Sequence, residues 1–276
     1  MAVVSMAAVK ELRDRLGAGM VDSKNALVEA GGDIEKAIEI LRLKGLKGVA
    51  KREGREASEG LVAVVQRDGS ATLIELVCET DFVAKNEKFL ALGDKVLEAI
   101  AESGAKTLEE ALAAPLEDGT VDSTITDESA IIGEKIQLRR VVRVEAPSTA
   151  VYLHRTSKDL PPQIGVVVGY EGDDEKVATS IAQHISFAEP LYVNRDEVPQ
   201  ADVDKERDIV TEISKNEGKP EAALPKIIDG RLNAFFKPIV LNEQEPALDA
   251  EKRPVAKVAE AAGITVTGFT RGKVGA

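Results

Sequence analysis

Aromatic side chains are scarce in this sequence: no tryptophan, three tyrosines and six phenylalanines among 276 residues. A core made by such a chain rests on Val, Ile, Leu and Ala. There is one cysteine, Cys78, so an intramolecular disulfide is excluded, and the usage fits a reducing compartment. Cys78 lies in an apolar run, where a buried structural thiol is expected rather than a nucleophile. No apolar run approaches the roughly 20 residues of a membrane-spanning helix. The opening segment MAVVSMAAVKELRDR lacks the basic leader, apolar stretch and cleavage site of a signal peptide, so a cytoplasmic protein is expected. Positive charge is short as well: 36 Lys and Arg face 48 Asp and Glu, a formal net charge of -12. Phosphate binding needs Lys and Arg, so nucleic acid is disfavoured as the main partner.

Catalytic patterns are missing too. His154 and His184 are far apart, neither belongs to an HExxH pattern, and with one cysteine there is no zinc constellation. His184 on a helix face reads as a structural histidine; His154 ends a strand and can reach a surface. No serine occupies a GxSxG elbow. GAGMVDSK, Gly17 to Lys24, superficially resembles a phosphate loop, but it lacks the GxxxxGK[ST] spacing and a preceding strand. It reads as a tight turn between helices. No catalytic set, cofactor or metal is expected, which points to a binding or regulatory protein.

What is present is ordered in blocks. Ser5 to Arg55 reads as three short helices: Val9, Leu12 and Leu16 share a face of the first, Met20, Leu27 and Ala30 mark the second, and Ile34, Ala37, Ile38 and Leu41 follow Asp33, a candidate N-cap. The basic stretch RLKGLKGVAKREGRE reads as a helix end running into a linker. The period then changes. LVAVVQR and ATLIELVC flank Asp68-Gly69-Ser70, a hairpin signal. A helix from about Glu87 to Glu102, shorter ones at LEEALAA and DESAIIGEK, and a strand with Ile136, Leu138, Val142 and Val144 on one face complete the first α+β unit. STAVYLH, QIGVVVGYE and DEKVATSIAQHISF repeat the strand, strand, helix plan. Val203 to Leu241 reads as a helical hairpin, with Gly218 as a C-cap, Pro220 opening the next helix and Pro225 as a possible kink. It either folds back on the core or serves a partner. VAKVAEAAG and ITVTGFTRG give a last helix and a closing strand. The fold class expected is α+β, with units at residues 1–55, 56–146 and 147–276 and the hairpin 203–241 inserted in the last.

ETDFVAKN, Glu79 to Asn86, follows the second strand. The local reading is that Thr80 or Asp81 caps a short helix and Phe82 fills the core.

Taken together, VKELRDRLGAGMVDSKNAL, GGDIEKAIEILR, ETDFVAKNEKF, GEKIQLRR, IAQHISFAEPLYV and TVTGFTRG occur in an order that resembles the bacterial elongation factor Ts family over nearly the full length. The resemblance implies a nucleotide exchange factor for the GTPase elongation factor Tu. It binds the GDP-bound and nucleotide-free forms, as a heterodimer or a dimer of heterodimers. It also implies an N-terminal three-helix module of the ubiquitin-associated kind and a coiled-coil hairpin. TDFV, Thr80 to Val83, matches the motif that disturbs the partner's magnesium site, with Phe82 as a wedge and Asp81 as its polar companion. Ile132 and His154 match positions of the same contact surface. Leu12 and Arg13 lie on the helix that resembles the docking element for the nucleotide-binding domain. The resemblance further implies, for some members, a helical module after the closing strand; this sequence ends at GKVGA, so its contacts are not expected. Arg271 and Lys273 and a long TSKDLPP loop also depart from the pattern. Two other readings are a binding module centred on the three helices and an acidic enzyme with an unrecognised site.

Overall fold

Three helices come first in the computed structural model, which describes residues 4–276 apart from Gly17, Gly19, Ala247, Leu248 and Ala250. They are α1 (Met6–Leu16), α2 (Met20–Glu29) and α3 (Ile34–Arg52). Val9, Leu12, Ala26, Leu27 and Ala37 form their buried core. Asp33 caps α3, accepting from the Lys36 amide at 3.1 Å. The expected turn at GAGM has Gly17 and Gly19 outside the described residues. Met20 sits at the exposed start of α2 instead of in the core.

The basic stretch is not a linker. α3 runs for 19 residues through Arg52, because it packs on a later helix, α7 (Val121–Ile132). Gly45 makes the crossing possible: a Cβ there would lie 2.5 Å from the Ala130 carbonyl oxygen and 2.7 Å from its Cβ. Glycine inside a helix costs about 1 kcal/mol relative to alanine, and packing outweighs it here. Arg42 on α3 also pairs with Asp127 on α7.

The remainder is α+β. The strands β1 (Glu59–Arg67) and β2 (Ser70–Cys78) pair around Asp68-Gly69, with Arg67 opposite Ser70. One turn of helix, α4 (Asp81–Ala84), leads into α5 (Glu87–Ser103) and α6 (Leu108–Ala113). A small ribbon, β3 (Pro115–Leu116) with β4 (Gly119–Thr120), precedes α7. The helix α7 starts earlier than the sequence suggested, because Thr120 and Ser123 form a reciprocal cap. The strand β5 (Ile136–Glu145) closes the sheet beside β2, in the order β1-β2-β5. A bulge sets Arg140 opposite Glu75 and Leu138 opposite Leu76. It leaves Arg139 over and reverses the facing of the strand. Ile136, Leu138 and Val141 therefore join the helix-covered core, while Val144 lies on the other face. The single face expected for Ile136, Leu138, Val142 and Val144 is thus split.

The second sheet repeats the connectivity. The strands β6 (Ser148–His154) and β7 (Ile164–Glu171) form a hairpin, α8 (Glu175–Ala188) follows, and β8 (Thr265–Lys273) closes beside β7. Its outer face is covered by α8 and α11 (Val255–Ala261). The inner faces of the two sheets meet through Val62, Leu73 and Val167. Gly165 permits this approach: a Cβ on it would lie 2.5 Å from Val62 Cγ1. The layers run helix, sheet, sheet, helix.

Between α8 and α11 rises a hairpin of α9 (Gln200–Asn216) and α10 (Leu224–Ile239). Its helices pack chiefly on each other. Val203, Leu232 and Phe236 line the seam, together with Val198 and Val240 at the base. Tyr192 bridges Val240 in parallel, and Arg195 pairs with Glu243, so the two ends of the hairpin lie side by side. Ile213 on α9 is exposed. Pro225 sits in the first turn of α10, where its missing N–H has no helical acceptor to lose; the proline inside the helix is Pro238.

Candidate functional site

Cys78 ends β2 in full burial, and the chain turns outward. Thr80 has extended backbone, which suits an N-cap, and its Oγ1 accepts from the Val83 amide at 3.4 Å. Ala84 is buried, and Val83 packs beside it against the first core. Asn86 then caps α5, accepting from the Lys88 amide at 2.9 Å. The TDFVA turn is therefore capped by a side chain at its start, closed at its end by the Lys85 backbone amide, and followed directly by the capped start of α5.

The capping half of the local reading holds, but the core-filling half does not. Phe82 is 73% exposed. The core position is taken by Val83, Ala84 and Phe89, leaving Phe82 on the solvent side of the turn. Lys85 Nζ stands 4.6 Å from the Phe82 ring centroid and 3.1 Å from Asp81 Oδ2. Phe82 thus has a cation at one side and a carboxylate on its own turn. Neither encloses it.

The base of the turn is tied to two distant segments. Glu134, just after α7, accepts from Thr80 Oγ1 at 2.7 Å and from the Thr80 amide at 3.1 Å. In the opposite direction, the Lys135 amide donates to Glu79 at 2.7 Å. Lys135 Nζ donates to the carbonyls of Glu53 and Arg55, at 2.7 and 3.0 Å, and Arg55 pairs with Glu79 at 3.1 Å. The end of α3, the end of α7 and the turn meet here. The Cys78 sulfur lies 3.3 Å from the Thr80 carbonyl. Burial, with the Glu134 carboxylate adding to it, pushes the thiol up to about 12, so it is a poor nucleophile at neutral pH.

The other sequence-derived residues divide. Ile132, half-buried, ends α7 two residues before Glu134 and lines a cleft of about 310 Å³ shared with Leu16 and Leu41 of the three-helix unit. His154 ends β6; its Nδ1 is 3.2 Å from the Tyr152 hydroxyl. Gln163, whose amide donates to the His154 carbonyl at 3.0 Å, also reaches Glu59, which stands opposite Cys78. His154 and the TDFV turn therefore occupy the same end of the paired sheets. Arg13 is half-buried on α1. Leu12 is a correction: it is fully buried in the three-helix core and presents no surface to a partner.

Two residues were missed from sequence. Phe187 meets His154 edge-on, with ring centroids 5.1 Å apart, and is 61% exposed. A signal existed: Ala178, Ile181, Ala182 and Ile185 form the buried stripe of α8, and Phe187 falls off it. Glu134 was the other, and no local pattern announces a carboxylate that caps a turn 54 residues away.

Among the described residues, no group of three or more His, Cys, Asp or Glu is placed to hold a metal ion, and no helix is long and apolar enough to cross a membrane. Comparison with known proteins gives a consistent picture. A family model described as Elongation factor TS matches residues 79–276. Proteins named Elongation factor Ts from Clavibacter sepedonicus and Leifsonia xyli subsp. xyli are 66% and 62% identical, over the full length of both chains in each case. One from Tropheryma whipplei (strain Twist) is 53% identical, covering 99% of this chain and 98% of its own.

Proposed function

The chain belongs to the elongation factor Ts family of translation elongation factors, and on that footing we propose that it is the guanine nucleotide exchange factor of elongation factor Tu. It engages the GDP-bound and nucleotide-free GTPase, disturbs the magnesium site and lets GDP leave. It makes no covalent bond. The observation that carries this reading is Phe82, a large apolar ring left in water on a turn that Thr80 caps at its start and the capped start of α5 follows directly. Burying such a ring is worth about 1.5–3 kcal/mol, and the isolated chain forgoes that gain. A partner that receives the ring recovers it.

The physics of exchange follows from rigidity. Mg²⁺ requires near-ideal octahedral geometry, so a small displacement of the loops around it weakens nucleotide binding. A ring on a fixed backbone can hold such a displacement; a ring on a mobile loop would yield. Linkage makes the effect reciprocal: the factor by which the bound chain weakens GDP binding is the factor by which GDP weakens its binding.

The contact surface we assign comprises Thr80, Asp81, Phe82 and Val83, with Ile132 and His154 extending it and Arg13 contributing from α1. In this reading residues 1–55 are a ubiquitin-associated-like module, 56–146 and 147–276 are the two core units, and the hairpin 203–241 is a coiled-coil arm. The exposed Ile209 and Ile213 support a second contact along the arm. The complex is a heterodimer or a dimer of such pairs, acting in the cytoplasm without membrane or direct nucleic-acid contact.

The test is stopped-flow release of a fluorescent GDP analogue from purified elongation factor Tu, with this chain in substoichiometric amount. Multiple-turnover acceleration is expected. Its absence with an active cognate GTPase would remove the reading.

A further inference from the structure

We propose that Glu134 is a positioning residue for exchange: its carboxylate holds the Thr80 end of the one-turn helix and so fixes the direction of Phe82. The proposal rests on the exchange-factor reading above.

A helix of four residues does not stand by itself, because nucleating a turn fixes several dihedrals for little return. Phe82 receives no enclosing packing, so the backbone under it, with Lys85 at one side, sets the point and direction from which the ring projects. That backbone is anchored inward by Val83 and Ala84. At its N-terminal end the holding bonds come from Glu134, whose two oxygens accept from both Thr80 donors, at 2.7 and 3.1 Å. The cap oxygen that receives the Val83 amide is the same Thr80 Oγ1 whose hydrogen goes to Glu134. Glu134 therefore orients the cap itself. Its own backbone is held in turn by Ser129, whose hydroxyl donates to the Glu134 carbonyl at 2.6 Å. Glu79 and Lys135 make the complementary crossing, so the two segments are joined in both directions.

The chemistry sets the expected variants. Glu134→Ala removes both acceptors. Glu134→Gln keeps one acceptor and turns a donor toward the other Thr80 donor. A merely structural role would lower stability and leave the kinetics of the folded protein intact. A positioning role lowers the rate at saturation while leaving the binding surface in place.

The experiment measures GDP-analogue release from elongation factor Tu against concentration of the full-length chain for wild type, both variants and Glu98→Gln, which alters an ion pair to Arg67 at the hairpin end of the sheet. For Glu134→Ala, the maximal release rate is expected to fall about tenfold, with the half-saturating concentration within about twofold of wild type. Glu134→Gln is expected between the two, and Glu98→Gln at the wild-type rate. Hydrogen exchange is followed in parallel. The amides of Ala84 and Asn86, bonded within the turn, are expected to exchange faster in Glu134→Ala, while β1 and β2 stay protected. A folded Glu134→Ala that reaches the wild-type maximal rate, or one that loses only half-saturation, overturns the positioning role and leaves the exchange reading standing. If the wild-type chain itself does not accelerate release, the exchange reading fails and this role falls with it.

Discussion

Truncating Phe82 removes a ring that its own chain does not enclose. Phe82→Ala is therefore expected to unfold within about 0.5 kcal/mol of wild type, by thermal or urea denaturation, while the acceleration of GDP release that the proposed function calls for collapses. A fall in both would mean that the ring belongs to the fold. Cys78 makes the converse case: with its thiol pushed up to about 12 by burial, it is expected to ignore a thiol reagent such as dithionitrobenzoate in native buffer and to react once urea unfolds the protein. Rapid labelling of the native chain would contradict the packing around β2. What sequence could and could not say is plain at these positions. Thr80 as a cap was legible, since a hydroxyl three residues before an amide is a local pattern. The outward direction of Phe82 was not, because Phe82, Val83 and Phe89 are equally apolar and only the tertiary packing chooses among them. Leu12 was legible as core from its spacing and became a contact candidate only through family resemblance.

At the scale of elements, the end of α3 shows why the basic stretch misled. Gly45 and Gly48 resemble breakers and the cations resemble a solvated linker, but the helix continues because α7 lies against it. Such a fact belongs to two segments 85 residues apart, as the Arg42 to Asp127 pair indicates. Gly45→Leu is expected to push α3 off Ala130 and to cost about 1–3 kcal/mol, with new protease sensitivity near Arg52 to Arg55 and unchanged protection of the first sheet. Unaltered cleavage and stability would show that the crossing tolerates a side chain. The β5 bulge is the same kind of case. Alternation predicted one face, and a single extra residue at Arg139 divided it. The Asp68-Gly69 hairpin and the Asp33 and Thr80 caps, whose partners are near in sequence, came through, whereas Gly218 follows the Glu217 C-cap and Pro220 leads into a short 3-10 turn before α10.

At the scale of the whole molecule, a carboxylate is buried on the central strand β2. Glu75 is buried beside Arg139, 3.5 Å away, with the Gly275 backbone also favouring its charged form. Burial raises its pKa above 4.5, the ordinary glutamate value, with Arg139 opposing. A raised acid binds its proton more tightly in the folded state. Its contribution to stability is thus fully present below 4.5 and is lost as pH rises through the folded value. Wild type is expected to lose stability relative to Glu75→Gln from about pH 4.5 upward, read from urea midpoints across a pH series. A constant difference between the two proteins would mean that Arg139 and Gly275 cancel the burial. The repeated plan, with a hairpin, a covering helix and a closing strand in each sheet, was legible as a pattern; the face-to-face contact of the sheets through Gly165 and Val62 was not. The arm has a consequence of its own. Because Tyr192 and Val240 stand side by side at its root, everything between them is attached as a drawer is to a cabinet. The segment can be shortened, lengthened or exchanged for a foreign hairpin without altering the path of either sheet, which makes the root of α9 and α10 a natural splice point for grafting a reporter onto this protein.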